Sequence, residues 1–178
     1  MARPDSPSVG IVEDIPDAVP TEVARTIVLR AITHAPKTRK QLADLLAKRQ
    51  VPQEAADEVL DRFVEVGLIN DADYANEWVR QRHLLRKTSR SVLRMELRAK
   101  GIDEALIEEA LSQIDSDDEY QAACELAERK LRQLSKYDEA TRRRRVGSLL
   151  MRKGYSGTLA NQVVSELISA DADEQLVD

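Results

Sequence analysis

The chain has 178 residues, room for one ordinary domain or for several small units stacked together. One Phe, one Trp and four Tyr are too few aromatics for a β-sandwich or barrel, and a single Cys with two His builds neither a disulfide framework nor a zinc site. The net charge of −5 argues against a nucleic-acid partner only if it is evenly spread.

Residues 1–20 carry four Pro, several acids and no helical period, and read as a disordered arm. Nothing there has the apolar core of a signal peptide, and no stretch approaches the roughly 20 apolar residues of a membrane span, so a cytoplasmic protein is expected. From residue 21 on, the period is helical. Val23, Ile27 and Ala31 form a first stripe. Thr38 with Gln41 makes a capping box for a second helix, on which Leu42, Leu45 and Leu46 face a core. Val59, Leu60, Phe63 and Val64 line a third, which Gly67 ends. A second set starts near Asn70 or Asp71, with Tyr74, Trp78 and Val79 on its first helix. A third starts at another capping box, Ser116 to Glu119, followed by Ala123, Leu126, Lys130 and Leu134.

The sets are copies of one another. Leu46-Ala-Lys-Arg-Gln-Val51, Leu97-Arg-Ala-Lys-Gly-Ile102 and Leu150-Met-Arg-Lys-Gly-Tyr155 share one junction, with their leading Leu 51 and then 53 residues apart. Gly101 and Gly154 sit where a helix closes on a left-handed residue, which glycine adopts without a Cβ clash. Leu97 with Ile102, and Leu150 with Tyr155, then make the apolar contact of a Schellman cap. Asp103 and Ser156 cap the helices that follow, and Ile102 with Ile107 has staple spacing. The first copy has Gln50 for Gly and Pro52 for the capping side chain, so its corner is expected to be looser or differently shaped. The fold class is therefore all-α, with three tandem three-helix repeats over residues 21–69, 70–115 and 116–170, forming an elongated, curved array, and an acidic tail over 171–178.

The charge is laid down in blocks. Residues 79–100 hold eight Lys/Arg against one Glu, residues 101–127 hold nine Asp/Glu and no Lys/Arg, and residues 128–153 hold ten Lys/Arg against three acids. Arg90, Arg94 and Arg98 recur every four residues and stack along one helix stripe. Arg80, Arg82, Arg86, Lys87 and Lys100 approach the same region. Arg142, Arg143, Arg144 and Arg145 are consecutive and point all round their helix, so some flank the core and snorkel. Such clusters fit phosphate or an acidic protein surface. They also fit a solvated face paired with the acids of 101–127, and no recognition-helix pattern marks base readout.

Catalytic patterns are missing from the sequence: there is no phosphate-binding Gly-rich loop, no His-Glu-x-x-His and no Gly-x-Ser-x-Gly. Cys124, among Ala122, Ala123 and Ala127, reads as a small buried hydrophobe. His83, among arginines, reads as a solvated helix flank, and Glu108 with Glu109 as part of a solvated acidic run. No enzyme, metal or cofactor is expected.

One segment is more specific. Val64-Glu-Val-Gly-Leu-Ile-Asn-Asp-Ala-Asp-Tyr-Ala-Asn-Glu-Trp-Val-Arg-Gln-Arg82 resembles the signature of the RecX family, roughly Leu-x-x-x-Gly-Leu-Ile-Asp-Asp-x-x-Phe-Ala-x-x-x-Val-x-x-Arg. Ser89-Arg-Ser-Val-Leu-Arg-Met-Glu-Leu-Arg-Ala-Lys-Gly-Ile102 and Lys153-Gly-Tyr-Ser156 are similar to the family's next elements. The resemblance spans about residues 22–169. Asn70 for Asp, Tyr74 for Phe, and a missing Gly in the loop at Leu85-Arg86-Lys87 are departures. The resemblance implies a monomeric, non-enzymatic regulator of the RecA recombinase. Such a protein lodges in the groove of the RecA filament on single-stranded DNA and inhibits its ATP hydrolysis, strand exchange and co-protease activity. Arg90, Arg94 and Arg98 with Arg142 to Arg145 are the expected contacts, with weak direct DNA binding at most. A nucleic-acid-binding module without RecA specificity and a merely soluble helical scaffold are the competing readings.

Overall fold

A computed structural model of the chain describes residues 19–174. The described residues hold nine helices and no strand: α1 (Pro20–His34), α2 (Arg39–Lys48), α3 (Gln53–Glu65), α4 (Asp71–Arg86), α5 (Arg90–Ala99), α6 (Glu104–Leu111), α7 (Ser116–Gln133), α8 (Glu139–Arg152) and α9 (Gly157–Glu174). Helix packing stays largely within successive triplets, and each triplet closes on its own core. The first is built on Val28, Leu42, Leu46, Leu60 and Phe63. The second is built on Val79, Leu93, Leu97, Ile107 and Leu111, and the third on Leu126, Leu131, Val146, Leu150 and Val163. Three thin cores gain stability by being joined end to end.

Most element boundaries follow the sequence signals, with differences that have local causes. Residues 1–18, most of the expected arm, lie outside the described residues, but Pro20 already belongs to α1, where its missing N–H is no loss. At the other end, α9 continues to Glu174, into the segment read as a tail, and residues 175–178 lie outside the described residues. The core face of α1 centres on Ala24 and Val28, not on Val23, which is 38% exposed. Val64 is likewise exposed and Leu45 half-buried. The cap of α7 is Asp115, not Ser116: Asp115 Oδ1 accepts from Asp118 N at 2.8 Å and Asp118 Oδ2 accepts from Asp115 N at 3.2 Å. A carboxylate is the better complement to a helix N-terminus, and the shift frees Glu119 for another task.

The corner at Gln50 keeps the shape of the other two. Gln50 takes φ 60°, beside 76° for Gly101 and 86° for Gly154. Val51 N donates to Leu46 O at 3.2 Å, as Ile102 N does to Leu97 O and Tyr155 N to Leu150 O, each also at 3.2 Å. The looser corner expected there does not form; the strain falls on Gln50 itself.

Two joints connect the units, built alike. At the first, Thr38, the N-cap of α2, accepts from Gln41 N at 3.2 Å and donates its hydroxyl to Lys100 O at 2.7 Å. Arg39 N donates to Asp71 Oδ1 at 2.9 Å. At the second, Ser89, the N-cap of α5, accepts from Val92 N at 3.3 Å, and its own N–H donates to Lys153 O at 3.2 Å. Arg90 N donates to Glu119 Oε1 at 3.0 Å. Thr38 and Ser89 are both fully buried. The glycine turn of each later unit thus sits on the N-terminus of the middle helix of the unit before it. A Cβ on Gly101 would lie 2.1 Å from Lys40 Cδ, and one on Gly154 would lie 2.4 Å from Val92 Cγ2. Glycine is needed there for close approach as well as for its φ.

Gly101→Ala and Gly154→Ala should each lower stability in urea denaturation by about 2–3 kcal/mol, the left-handed strain plus the clash across the joint. Gln50→Gly should raise it by up to about 1 kcal/mol. Equal losses at Gly101 and at the exposed Gly67, where nothing lies within 4 Å of a built Cβ, would show that the joints impose no close contact.

Candidate functional site

The two basic blocks fold into surfaces of different character. The block of residues 79–100 lies on α4, the following loop and α5, with the acidic block directly beside it on α6 and α7. Arg98 meets Glu104 through two parallel bonds of 2.7 Å. Arg94 Nε and Nη2 reach Glu108 Oε1 at 3.0 and 2.5 Å. The Arg98 guanidinium, hydrogen-bonded to Glu104, holds that carboxyl below the ordinary glutamate range, and the same bond raises Arg98. Arg82 pairs with Glu96, stands 4.9 Å over the Trp78 ring, and shares Glu96 with the indole, whose Nε1 donates at 2.8 Å. Lys100 Nζ lies 3.9 Å from the Trp78 centroid and 5.7 Å from that of Tyr74. Arg80 pairs with Glu77, one turn back.

Several cations of this block serve the second joint. Lys87, left-handed at φ 49°, reaches Glu125 at 2.6 Å, and its carbonyl accepts from Tyr155 Oη at 2.9 Å. The Arg86 carbonyl accepts from Lys153 Nζ at 2.8 Å, leaving the exposed Arg86 side chain outward. Arg90 is half-buried beside Gly154 and Ser156. His83 is not a solvated flank: it is 8% exposed, with Nδ1 3.2 Å from the Thr88 carbonyl. It ties the end of α4 to the loop that leads into Ser89. Its neighbours Arg82 and Leu84 mislead as to exposure because a helix turns through about 100° per residue.

The arginine run on α8 divides. Arg143 Nε donates to Glu139 Oε1 at 2.7 Å and its Nη1 to Ser165 Oγ at 3.4 Å. Arg142 is half-buried. Arg144 and Arg145 are exposed and, among the described residues, meet no carboxylate within ion-pair distance. Arg145 stacks 4.1 Å over the Tyr137 ring, which fixes its guanidinium. With Lys130 of α7, and Ser148 and Arg152 of α8, they line an open depression of about 350 Å³ with no acid in its wall. Arg144, Ser148 and Arg152 recur every four residues, the spacing that marked Arg90, Arg94 and Arg98, so Arg152 was legible as a partner. Lys130 was hidden in an apolar series, and Tyr137 by lying in a loop. The third unit thus bears a concentrated cationic face rimmed by one aromatic, and the second a compensated one.

No group of His, Cys, Asp and Glu among the described residues could hold a metal. Cys124 is buried, and burial raises its thiol above its ordinary value, so it packs as a small apolar group. No helix among the described residues is long and apolar enough to cross a membrane.

Glu104 should titrate below the ordinary glutamate midpoint in carbon-detected NMR, and Arg98→Ala should return it upward. A depressed carboxyl contributes its stabilisation above its unfolded midpoint and loses it as pH falls through the folded one. The α5–α6 pairing should therefore hold throughout the neutral range and open only in acid. A Glu104 midpoint unmoved by Arg98→Ala would show that the pair is not formed in solution.

Three family models match the chain in order: the first, second and third three-helix domains of RecX, over residues 24–63, 70–111 and 117–164. The regulatory protein RecX of Streptomyces lividans is 47% identical over 159 residues, covering 89% of this chain and 85% of its own. That of Thermobifida fusca is 40% identical over 151 residues, covering 85% and 82%. The crystal structure of RecX from Lactobacillus salivarius superimposes with a TM-score of 0.74 over 83% of this chain and 96% of its own at 23% identity, which speaks for the fold. A second crystal structure of a regulatory protein RecX gives 0.70 at 25% identity, over 81% and 71%.

Proposed function

The chain belongs to the RecX family, and from that premise we propose that it regulates the RecA recombinase by binding its filament on single-stranded DNA. In this reading it restrains the filament's ATP hydrolysis, strand exchange and co-protease activity in recombinational repair and the SOS response, and carries out no chemistry of its own. It acts as a cytoplasmic monomer. The observation that carries the reading is the ordered match of all three family domains over most of the chain.

The distribution of free charge supports a division among the candidate residues. Arg144 and Arg145, with Lys130 and Arg152, form the main anion-facing surface. Arg86, exposed at the second joint, and the half-buried Arg90 are further candidates. Arg80, Arg82, Lys87, Arg94, Arg98 and Lys100 are held by carboxylates or aromatic rings, so their first task is to position the second unit. Three linked units that touch neighbouring filament subunits gain from effective concentration, because each contact raises the local concentration of the next. Binding to naked DNA stays weak in this reading, because most cations of the second unit are already paired with carboxylates. A nucleic-acid module without RecA specificity is the second reading, favoured by the Tyr137–Arg145 stack beside the cation cluster.

Titrated against preformed RecA filaments at fixed moderate salt, the chain should inhibit DNA-dependent ATP hydrolysis at or below one per RecA. Arg144→Glu with Arg145→Glu and Arg152→Glu should weaken inhibition by about tenfold or more and flatten its salt dependence. Arg94→Ala with Arg98→Ala should change it by about threefold or less. Tight binding to naked DNA with no effect on RecA would move the second reading to the front. Equal effects of the two variant sets would remove the proposed division.

A further inference from the structure

A surface of opposite character lies between the first two units. α1 and α4 flank a depression of about 760 Å³, within the size range of sites that hold a buried ligand. Its floor is apolar: Ile32, Leu68, Tyr74 and Trp78, the last two stacked with centroids 6.0 Å apart and planes 12° from parallel. Leu29 at its edge is 41% exposed and Leu68 is 51% exposed. Large apolar side chains left uncovered together mark a contact surface more often than single ones do.

The lip formed by α4 carries Asp73 and Glu77, one turn apart, then Gln81. Glu77 is shared with Arg80 and with the Gln81 amide, whereas Asp73 has the Asn70 amide at 2.7 Å as its side-chain partner. The loop after α1 contributes one lining cation, Lys37. We propose that this groove docks a short amphipathic helix of a partner protein. Its apolar face lies on Ile32, Leu68 and Trp78, and Lys or Arg runs along the flank that meets Asp73 and Glu77. The groove is open and flanked by two helices, which suits apolar side chains at i, i+3, i+4 and i+7 of a third. The carboxylate lip selects the sign of the flanking charge. The site is separate from the cationic face of the third unit and does not rest on the filament reading. Because its walls come from two units, an occupant bridges the first joint and fixes the angle between them.

Trp78 is the chain's one tryptophan, so its emission reports this site alone. The probe is a synthetic helical peptide with Leu at i, i+3, i+4 and i+7 and Lys elsewhere, titrated into the full chain beside its Leu/Glu counterpart. The Leu/Lys peptide should shift Trp78 emission to the blue, saturate, and bind at least about tenfold more tightly than the Leu/Glu peptide. Leu29→Ser with Leu68→Ser, both at exposed positions, should weaken it by about tenfold. Asp73→Asn with Glu77→Gln should narrow the gap between the peptides. The proposal falls if neither peptide shifts the emission, if both bind alike, or if the shift survives Leu29→Ser with Leu68→Ser. It falls equally if a small aromatic compound saturates the site while neither peptide binds.

Discussion

The structure depends on helix ends meeting helix ends. The N-terminus of α2 meets the C-terminal turn of α5, and the N-terminus of α5 meets that of α8, through Thr38 to Lys100 and Ser89 to Lys153. Helix termini carry backbone groups with no partner of their own, N–H at one end and C=O at the other. At each joint these deficits are matched, and the partial charges of the two dipoles have opposite sign. The arrangement also explains the chemistry of the contact. At the first joint the Thr38 hydroxyl both accepts from Gln41 N and donates to Lys100 O, which a carboxylate could not do; at the second the Ser89 hydroxyl accepts from Val92 N while the Ser89 backbone N–H donates to Lys153 O.

Given these joints, the charge pattern takes on a different meaning from its linear one. Nine acids in succession, flanked by two basic blocks, suggest repulsion and solvation when read along the chain. In the fold, the acids divide between capping and pairing. Asp103 and Asp115 cap helices, Glu104 and Glu108 hold Arg98 and Arg94, and Glu119 and Glu125 tie the second joint. Most of the acidic block is thus used inside the second unit, at its junction with the third and at the cap of α7. What remains is on α7 and α8, where Arg144, Arg145 and Arg152 have no such partner among the described residues.

The helices, their number and the three-copy arrangement were legible because apolar period and glycine turns are local signals that the fold does not overrule, and capping boxes place a helix start to within a residue. The recurring Leu and Gly of the junction gave the alignment of the copies before any contact was known. Less was legible at the site. The spacing of Arg90, Arg94 and Arg98 is the same as that of Arg144, Ser148 and Arg152, and nothing local tells that the first stripe faces α6 carboxylates and the second does not. That difference lies in pairs 6 to 14 residues apart and in the packing of α7 on α8. His83 failed for the same reason: its burial comes from the Thr88 loop folding back over it. The second role of Gly101 and Gly154, as contact points for another unit, was not readable from one unit's own turn chemistry.

The two outer ends of the array differ from its joints. The left-handed corner of the first unit has Gln50, exposed, where the other units have glycine. The middle helix of the last unit is capped by Asp138, whose carboxylate accepts from Thr141 N and is held below the ordinary aspartate range by that bond, where the others have a buried hydroxyl. A Cβ at the first position blocks the close approach that each joint requires, and a charge at the second cannot be buried against a carbonyl without cost. A second copy of the chain set end to end would therefore meet a Cβ and a carboxylate where each internal joint has a glycine and a buried hydroxyl.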